Sequence, residues 1–164
     1  MSNKPTDISL TEFVWTRLLG SSGTDYGIAL TTGIDGSIYI AGYTGSDLEG
    51  ETNSGLYDAF ISKYNPDGIK DWTKLLGTST SEYGIALTTG IDGSIYIAGY
   101  TQGDLDGQTN IGNDDAFISK YNPDGTKDWT KLLGTDASDV AHVLTTGIDG
   151  SIYIAGYTQG DLDG

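Results

Sequence analysis

One string of twelve residues, Gly-Ile-Asp-Gly-Ser-Ile-Tyr-Ile-Ala-Gly-Tyr-Thr, stands unchanged at residues 33–44, 90–101 and 147–158. The step between copies is 57 residues, and Trp15, Trp72 and Trp129 keep the same step. Self-similarity at a fixed period of this size is the mark of a repeat architecture, in which each unit buries its apolar surface against its neighbours. Whatever fold the chain adopts must therefore be periodic along its length.

Within one period the residues alternate as β-strands do, and no helical periodicity competes. Tyr83–Thr89, Ser94–Thr101, Asp115–Tyr121 and Lys127–Leu133 read as four short strands, which we call a, b, c and d. The a–b connection carries Asp92-Gly93, the short-range hairpin signal. The c–d connection carries Asn-Pro-Asp-Gly at 122–125, where Pro123 presets φ and Gly125 accepts a positive φ. Strand b is apolar on both faces: Ile95 and Ile97 point one way, Tyr96, Ala98 and Tyr100 the other. A strand of that kind is expected to be covered on both sides by neighbouring sheets. Four antiparallel strands per repeat, sheet stacked on sheet, is the pattern of a β-propeller blade. A β-solenoid is the alternative, although its rungs usually repeat faster.

The run Asp-Ala-Phe-Ile-Ser-Lys-Tyr-Asn-Pro-Asp-Gly, the following Trp and the twelve-residue string together resemble the SBBP-type β-propeller repeat of bacterial surface and secreted proteins. The resemblance covers residues 13–164. It implies an extracellular or cell-surface setting and brings no catalytic residues with it. The expected layout is a leader at 1–11 and a repeat domain at 12–164. That domain divides into an outer strand at 12–20, repeats at 21–77 and 78–134, and a partial repeat at 135–164.

The strands number eleven where three blades need twelve, because the first c strand has no counterpart in residues 1–11. About three blades form an open arc, while propellers typically close with four to eight. Two readings stay open: a piece of a longer array, or a homodimer closing into a six-bladed ring. Self-association is expected in either case, since exposed strand edges and apolar sheet faces seek partners.

Charge narrows the partners further. Eight basic residues face 23 acidic ones, for a net charge of −15. That balance disfavours nucleic acid and anionic membrane surfaces, which bind clustered lysine and arginine. There is no cysteine, hence no disulfide or thiolate metal site. No apolar run is long enough for a transmembrane helix, and residues 1–7 do not read as a signal peptide.

Site chemistry is concentrated in the long b–c connection, whose second copy runs from Gly103 to Asp115. Asp104, Asp106, Asn110, Asp114 and Asp115 offer the hard oxygens that calcium takes, with glycines to let the loop wrap. The EF-hand pattern is not met, and a solvated acidic turn is the competing reading. In the first copy Glu49 replaces the second aspartate. The tryptophans are either glycan platforms or packing residues. His142, the single histidine, replaces Ile28 and Ile85 on strand a and is a poor metal or catalytic candidate. Lys63, Lys74 and their copies are expected to fringe strand edges. The functional expectation is a non-catalytic scaffold, adhesion or interaction module, with calcium as the one candidate cofactor. The alternative is a lectin-type carbohydrate-binding module with repeated sites between blades.

Overall fold

In the computed structural model, residues 15–162 are described. They form ten strands, and no helix occurs among them. The strands are β1 (Asp25–Thr32), β2 (Ile38–Thr44), β3 (Asp58–Tyr64), β4 (Lys70–Leu76), β5 (Glu82–Thr89), β6 (Ile95–Thr101), β7 (Asp115–Tyr121), β8 (Lys127–Leu133), β9 (Asp139–Thr146) and β10 (Ile152–Thr158). They pair as two complete antiparallel sheets, β1-β2-β3-β4 and β5-β6-β7-β8, and one two-stranded sheet, β9-β10. The expected four-stranded antiparallel unit is present, and the single chain does not close into a ring.

Turn chemistry fixes each hairpin. In the a–b turns the Asp35 carboxylate accepts the Ser37 N–H at 3.0 Å, and Asp92 and Asp149 do the same for Ser94 and Ser151. The following residues, Gly36, Gly93 and Gly150, sit at φ of +78°, +82° and +84°, which glycine adopts at no steric cost. The hydrogen bond from Ser94 N–H holds Asp92 below the usual carboxylate range, and Asp35 and Asp149 are lowered from the same first cause.

A bulge interrupts the first hairpin of every sheet. Gly27 pairs with Gly42 and Ala29 with Ala41, so Ile28 is left without a partner. Ile85 and His142 occupy the same extra position in β5 and β9. Opposite the bulge the backbones nearly touch. A Cβ on Gly99 would lie 1.7 Å from the Tyr83 carbonyl oxygen, and Gly42 and Gly156 are as tightly placed. The glycine in the repeated string is thus required by a close backbone approach.

Sheets pack face to face through their first strands. Tyr39, Ala41, Ala59 and Ile61 of the first sheet share a buried cluster with Leu87, Ile95, Ile97 and Phe117 of the second. Ala86, Ala98 and Ala116 of the second meet Ala141 and Leu144 of the third. Strand b is covered on both faces in the middle sheet, as its two-sided apolar pattern predicts. Thr89 Oγ1 donates to the Thr32 carbonyl at 3.0 Å, and Thr146 Oγ1 to the Thr89 carbonyl at 2.8 Å, one rung for each step of the stack.

The expected outer strand at 12–20 needs correction over its described part. Residues 15–20 form no strand. Their counterparts β4 and β8 are strands because β3 and β7 pair with them; residues 15–20 have no such neighbour among the described residues. Side chains hold the segment instead, with Trp15 Nε1 donating to the Pro66 carbonyl at 3.1 Å and Arg17 Nε to the Gly68 carbonyl at 2.8 Å. Residues 12–14, the leader at 1–11 and the last two residues lie outside the described part of the chain.

Candidate functional site

The b–c connection is a small β-turn pinned from below. Leu105 and Gln108 exchange backbone hydrogen bonds at 3.0 and 2.9 Å around Asp106-Gly107, both at positive φ. Leu105 itself is fully buried in the core cluster, and Leu48 of the first copy is fully buried as well. These two leucines were invisible as core residues in the sequence, because they sit in a run of Asp, Gly, Gln and Asn.

The five candidate calcium ligands do not converge. Asp104 accepts the Asn110 N–H at 2.9 Å. Asn110 donates to the Thr101 carbonyl and accepts from Gly112. Asp106 reaches the outer strand, pairing with the Lys127 ammonium and accepting the Thr130 hydroxyl. Asp114 accepts the Gln102 amide at 3.1 Å. Asp115 is buried and accepts the N–H groups of Ile111 and Gly112. No group of three histidine or acidic side chains gathers around one point among the described residues. What these residues do in the structure is brace their own loop and tie it to β8. Glu49 plays the part of Asp106 in the first copy, pairing with Lys70, so its substitution preserves that ion pair.

The tryptophans pack. Trp72 Nε1 donates to the Pro123 carbonyl of the next sheet at 3.2 Å, and its ring lies against Gly125. Trp15 makes the same contact one step earlier, over Gly68. Lys63 is not an edge fringe: its side chain is mostly buried, 3.5 Å from both Asp35 and Asp71, with the ammonium 5.8 Å from the centre of the Tyr39 ring. Burial disfavours its charge, yet Tyr39, Asp35 and Asp71 hold its pKa above the ordinary lysine value.

Tyrosines form a chain across the first two sheets. Ring centres are 4.9 Å apart for Tyr26 and Tyr43, 4.7 Å for Tyr43 and Tyr83, and 4.6 Å for Tyr83 and Tyr100. Burial, with Tyr83 next in weight, pushes the Tyr100 phenol up to about 12. Tyr100 is therefore neutral at physiological pH. The row begins at the exposed ring of Tyr26 and ends at Tyr100; in the third sheet the exposed Tyr157 ring lies 5.6 Å from the His142 ring.

The surfaces with unmatched chemistry are the two end faces of the stack. On the leading face of the first sheet Leu30 is 66% exposed, whereas its counterpart Leu87 is 8% exposed beneath the neighbouring sheet. On the trailing face of the third sheet Val143, Tyr153 and Tyr157 are exposed. The equivalents of Tyr153 and Ala155 in the first sheet, Tyr39 and Ala41, are completely buried. The same two kinds of face thus meet inside the chain and stand open at its ends.

Antiparallel four-stranded sheets stacked through their first strands define a protein of the β-propeller-repeat class. Residues 14–49 match the SBBP beta-propeller repeat family. Among curated proteins the chain is 31% identical over 147 residues to the Regulatory protein FlaEY of Caulobacter vibrioides, covering 81% of this chain and 15% of that protein. It is 23% identical over 201 residues to an uncharacterized WD repeat-containing protein of Acanthamoeba polyphaga mimivirus, covering 96% of this chain and 14% of the other. The chain thus spans about one seventh of the length of these relatives.

Proposed function

We propose that the chain is a non-catalytic β-propeller interaction module that builds a larger scaffold by stacking its end faces on another copy, two chains giving a six-bladed ring. The observation that carries this reading is the matched pair of open faces. Leu30, Ile38 and Ile40 repeat the residues that Leu87, Ile95 and Ile97 present to the first sheet, and Tyr153 and Ala155 repeat Tyr39 and Ala41. The contact is head to tail, so it either closes a ring or propagates. In it Tyr157 of one copy would meet Tyr26 of the next, as Tyr43 meets Tyr83, and Thr32 Oγ1 of the next copy would donate to the Thr146 carbonyl of the first, as Thr89 does to Thr32. The extracellular or surface setting is carried over from the family resemblance.

The test is native mass by light scattering. A dimer at twice 17.3 kDa, reduced to a monomer by Leu30→Asp, supports the reading. Leu30 is exposed in the single chain, so this substitution leaves the chain's own core untouched. A monomer at about 100 μM wild-type protein, a concentration at which even a weak specific interface is populated, sinks it.

A further inference from the structure

The two complete sheets enclose a cavity of about 170 Å³ between their turns. Gly33, Asp35 and Tyr39 line it from the first sheet, and Asp92, Gly93 and Pro123 from the second. Ile34 leans over its mouth. The Ile34 Cδ1 lies 3.4 Å from where a Cβ on Gly93 would stand, and the residue is 74% exposed.

The walls combine an apolar part, made by Ile34, Tyr39 and Pro123, with two carboxylates. The Asp35 and Asp92 side chains are about half exposed, at 50% and 56%. Each accepts the N–H and the hydroxyl of the serine two residues on. A carboxylate offers about four acceptor positions, so both keep capacity for a further donor. The chain's own cations do not use it up. Lys63 is 3.5 Å from Asp35, but it is shared with Asp71 at 3.5 Å and with the Pro123 carbonyl. Lys120 is 3.9 Å from Asp92 and closer, at 3.2 Å, to Asp128. Four carboxylates thus face two ammonium groups, which leaves the surroundings of the cavity negative.

Size and charge together select the occupant. Drug-sized ligands take pockets of about 300–1,000 Å³, so this cavity suits a single long side chain. Calcium takes about six to eight oxygens, which two carboxylates already bonded to serines do not supply. A cation on an apolar stem matches both parts of the wall. A guanidinium does so better than an ammonium, because it is more weakly hydrated and its fixed fork of donors can engage two carboxylates at once. A second copy does not provide it: the single arginine of the chain, Arg17, is bonded to the Gly68 and Thr16 carbonyls.

We propose that this cavity is a recognition pocket for an arginine side chain of a basic partner protein. The arginine stem lies along Ile34 and Pro123, and the guanidinium sits between Asp35 and Asp92. The net charge of −15 draws such a partner in, and the pocket fixes where it docks.

The probe is the synthetic peptide acetyl-Gly-Gly-Arg-Gly-Gly-amide, titrated into the isotope-labelled chain at low salt and followed by NMR. We expect a Kd of about 1–5 mM, the range for one anchored side chain, with amide shifts centred on Gly33, Asp35 and Gly93. The same peptide with citrulline, which keeps the shape and removes the charge, should bind at least about tenfold more weakly. Asp92→Asn should weaken the arginine peptide by about tenfold, while the amide oxygen still accepts the Ser94 N–H and keeps the turn. Asp149→Asn removes the matching carboxylate of the third sheet, outside the cavity, and should change binding by less than about twofold. The pocket is independent of stacking, so the Leu30→Asp chain should bind as the wild type does. No shift at about 20 mM peptide or equal binding of the citrulline peptide would overturn the proposal. So would equal losses in Asp92→Asn and Asp149→Asn, the mark of general attraction to an acidic surface.

Discussion

Glycine and aspartate set the geometry at the smallest scale. The glycine in the repeated string admits a carbonyl oxygen where a methyl group would stand, at 1.7 Å from Gly99. Gly99→Ala is therefore expected to destabilise the chain by about 3 kcal/mol or more, since backbone must move. Urea denaturation would show it as a lower midpoint at an unchanged slope. Asp92 gives a pH-dependent counterpart. Its folded pKa is depressed, first by the Ser94 N–H, so the stability it contributes is present above the unfolded value of about 3.9. That contribution is lost as pH falls through the folded value. Compared with Asp92→Asn, the wild type should melt higher at pH 7, and the gap should close below about pH 4. The side chain is more than half exposed, so the gap should not exceed about 1 kcal/mol.

Strands and loops differ in how openly the sequence displays them. β3, β4, β7 and β8 begin and end where alternation and turn residues predict, because hairpin strands are bounded by local chemistry. The bulge at Ile28, Ile85 and His142 was not legible. It arises from the contact between Gly99 and the Tyr83 carbonyl across two strands, which an alternation pattern does not register. Residues 15–20 look like a strand by composition and are not one, because a strand is a property of a pair. The acidic loop hides its core contribution: Asp104, Asn110 and Asp115 hold backbone groups, Asp106 holds Lys127 and Asp114 holds Gln102, while Leu105 is buried. Two outcomes follow for this element. Leu105→Ala should cost about 2–5 kcal/mol by leaving a cavity. Calcium or EDTA should leave the wild-type melting temperature unchanged, since the carboxylates are dispersed; a calcium-dependent rise reversed by EDTA would restore the metal reading.

At the scale of the whole molecule, apolar end faces and a net charge of −15 act against one another. Stacking brings two strongly acidic bodies together, so association should tighten as salt rises and screens the repulsion. A charge-driven interface would weaken instead. Sedimentation at about 20 mM and about 500 mM NaCl, where the screening length falls from roughly 20 Å to about 4 Å, distinguishes the two. The shape of the faces was foreshadowed by strand b, apolar on both sides. The contrast between exposed Leu30 and buried Leu87 was not legible in one dimension, because the two positions carry the same residue and differ only in whether a sheet precedes them in the stack.

The unchanged twelve-residue string has one more consequence, and it concerns time rather than structure. β2, β6 and β10 are identical in sequence, so an incoming β7 meets three equivalent acceptors while the chain folds. Only tether length separates the two that precede it: residues 102–114 join β6 to β7, against residues 45–114 from β2. A roughly fivefold longer loop costs only about 1.5 kcal/mol more to close. Strand exchange one repeat out of place is thus a near competitor of the native pairing. Refolding from denaturant should show a slow, concentration-independent phase as misplaced hairpins let go, and marking one repeat with a distinct second strand should abolish it.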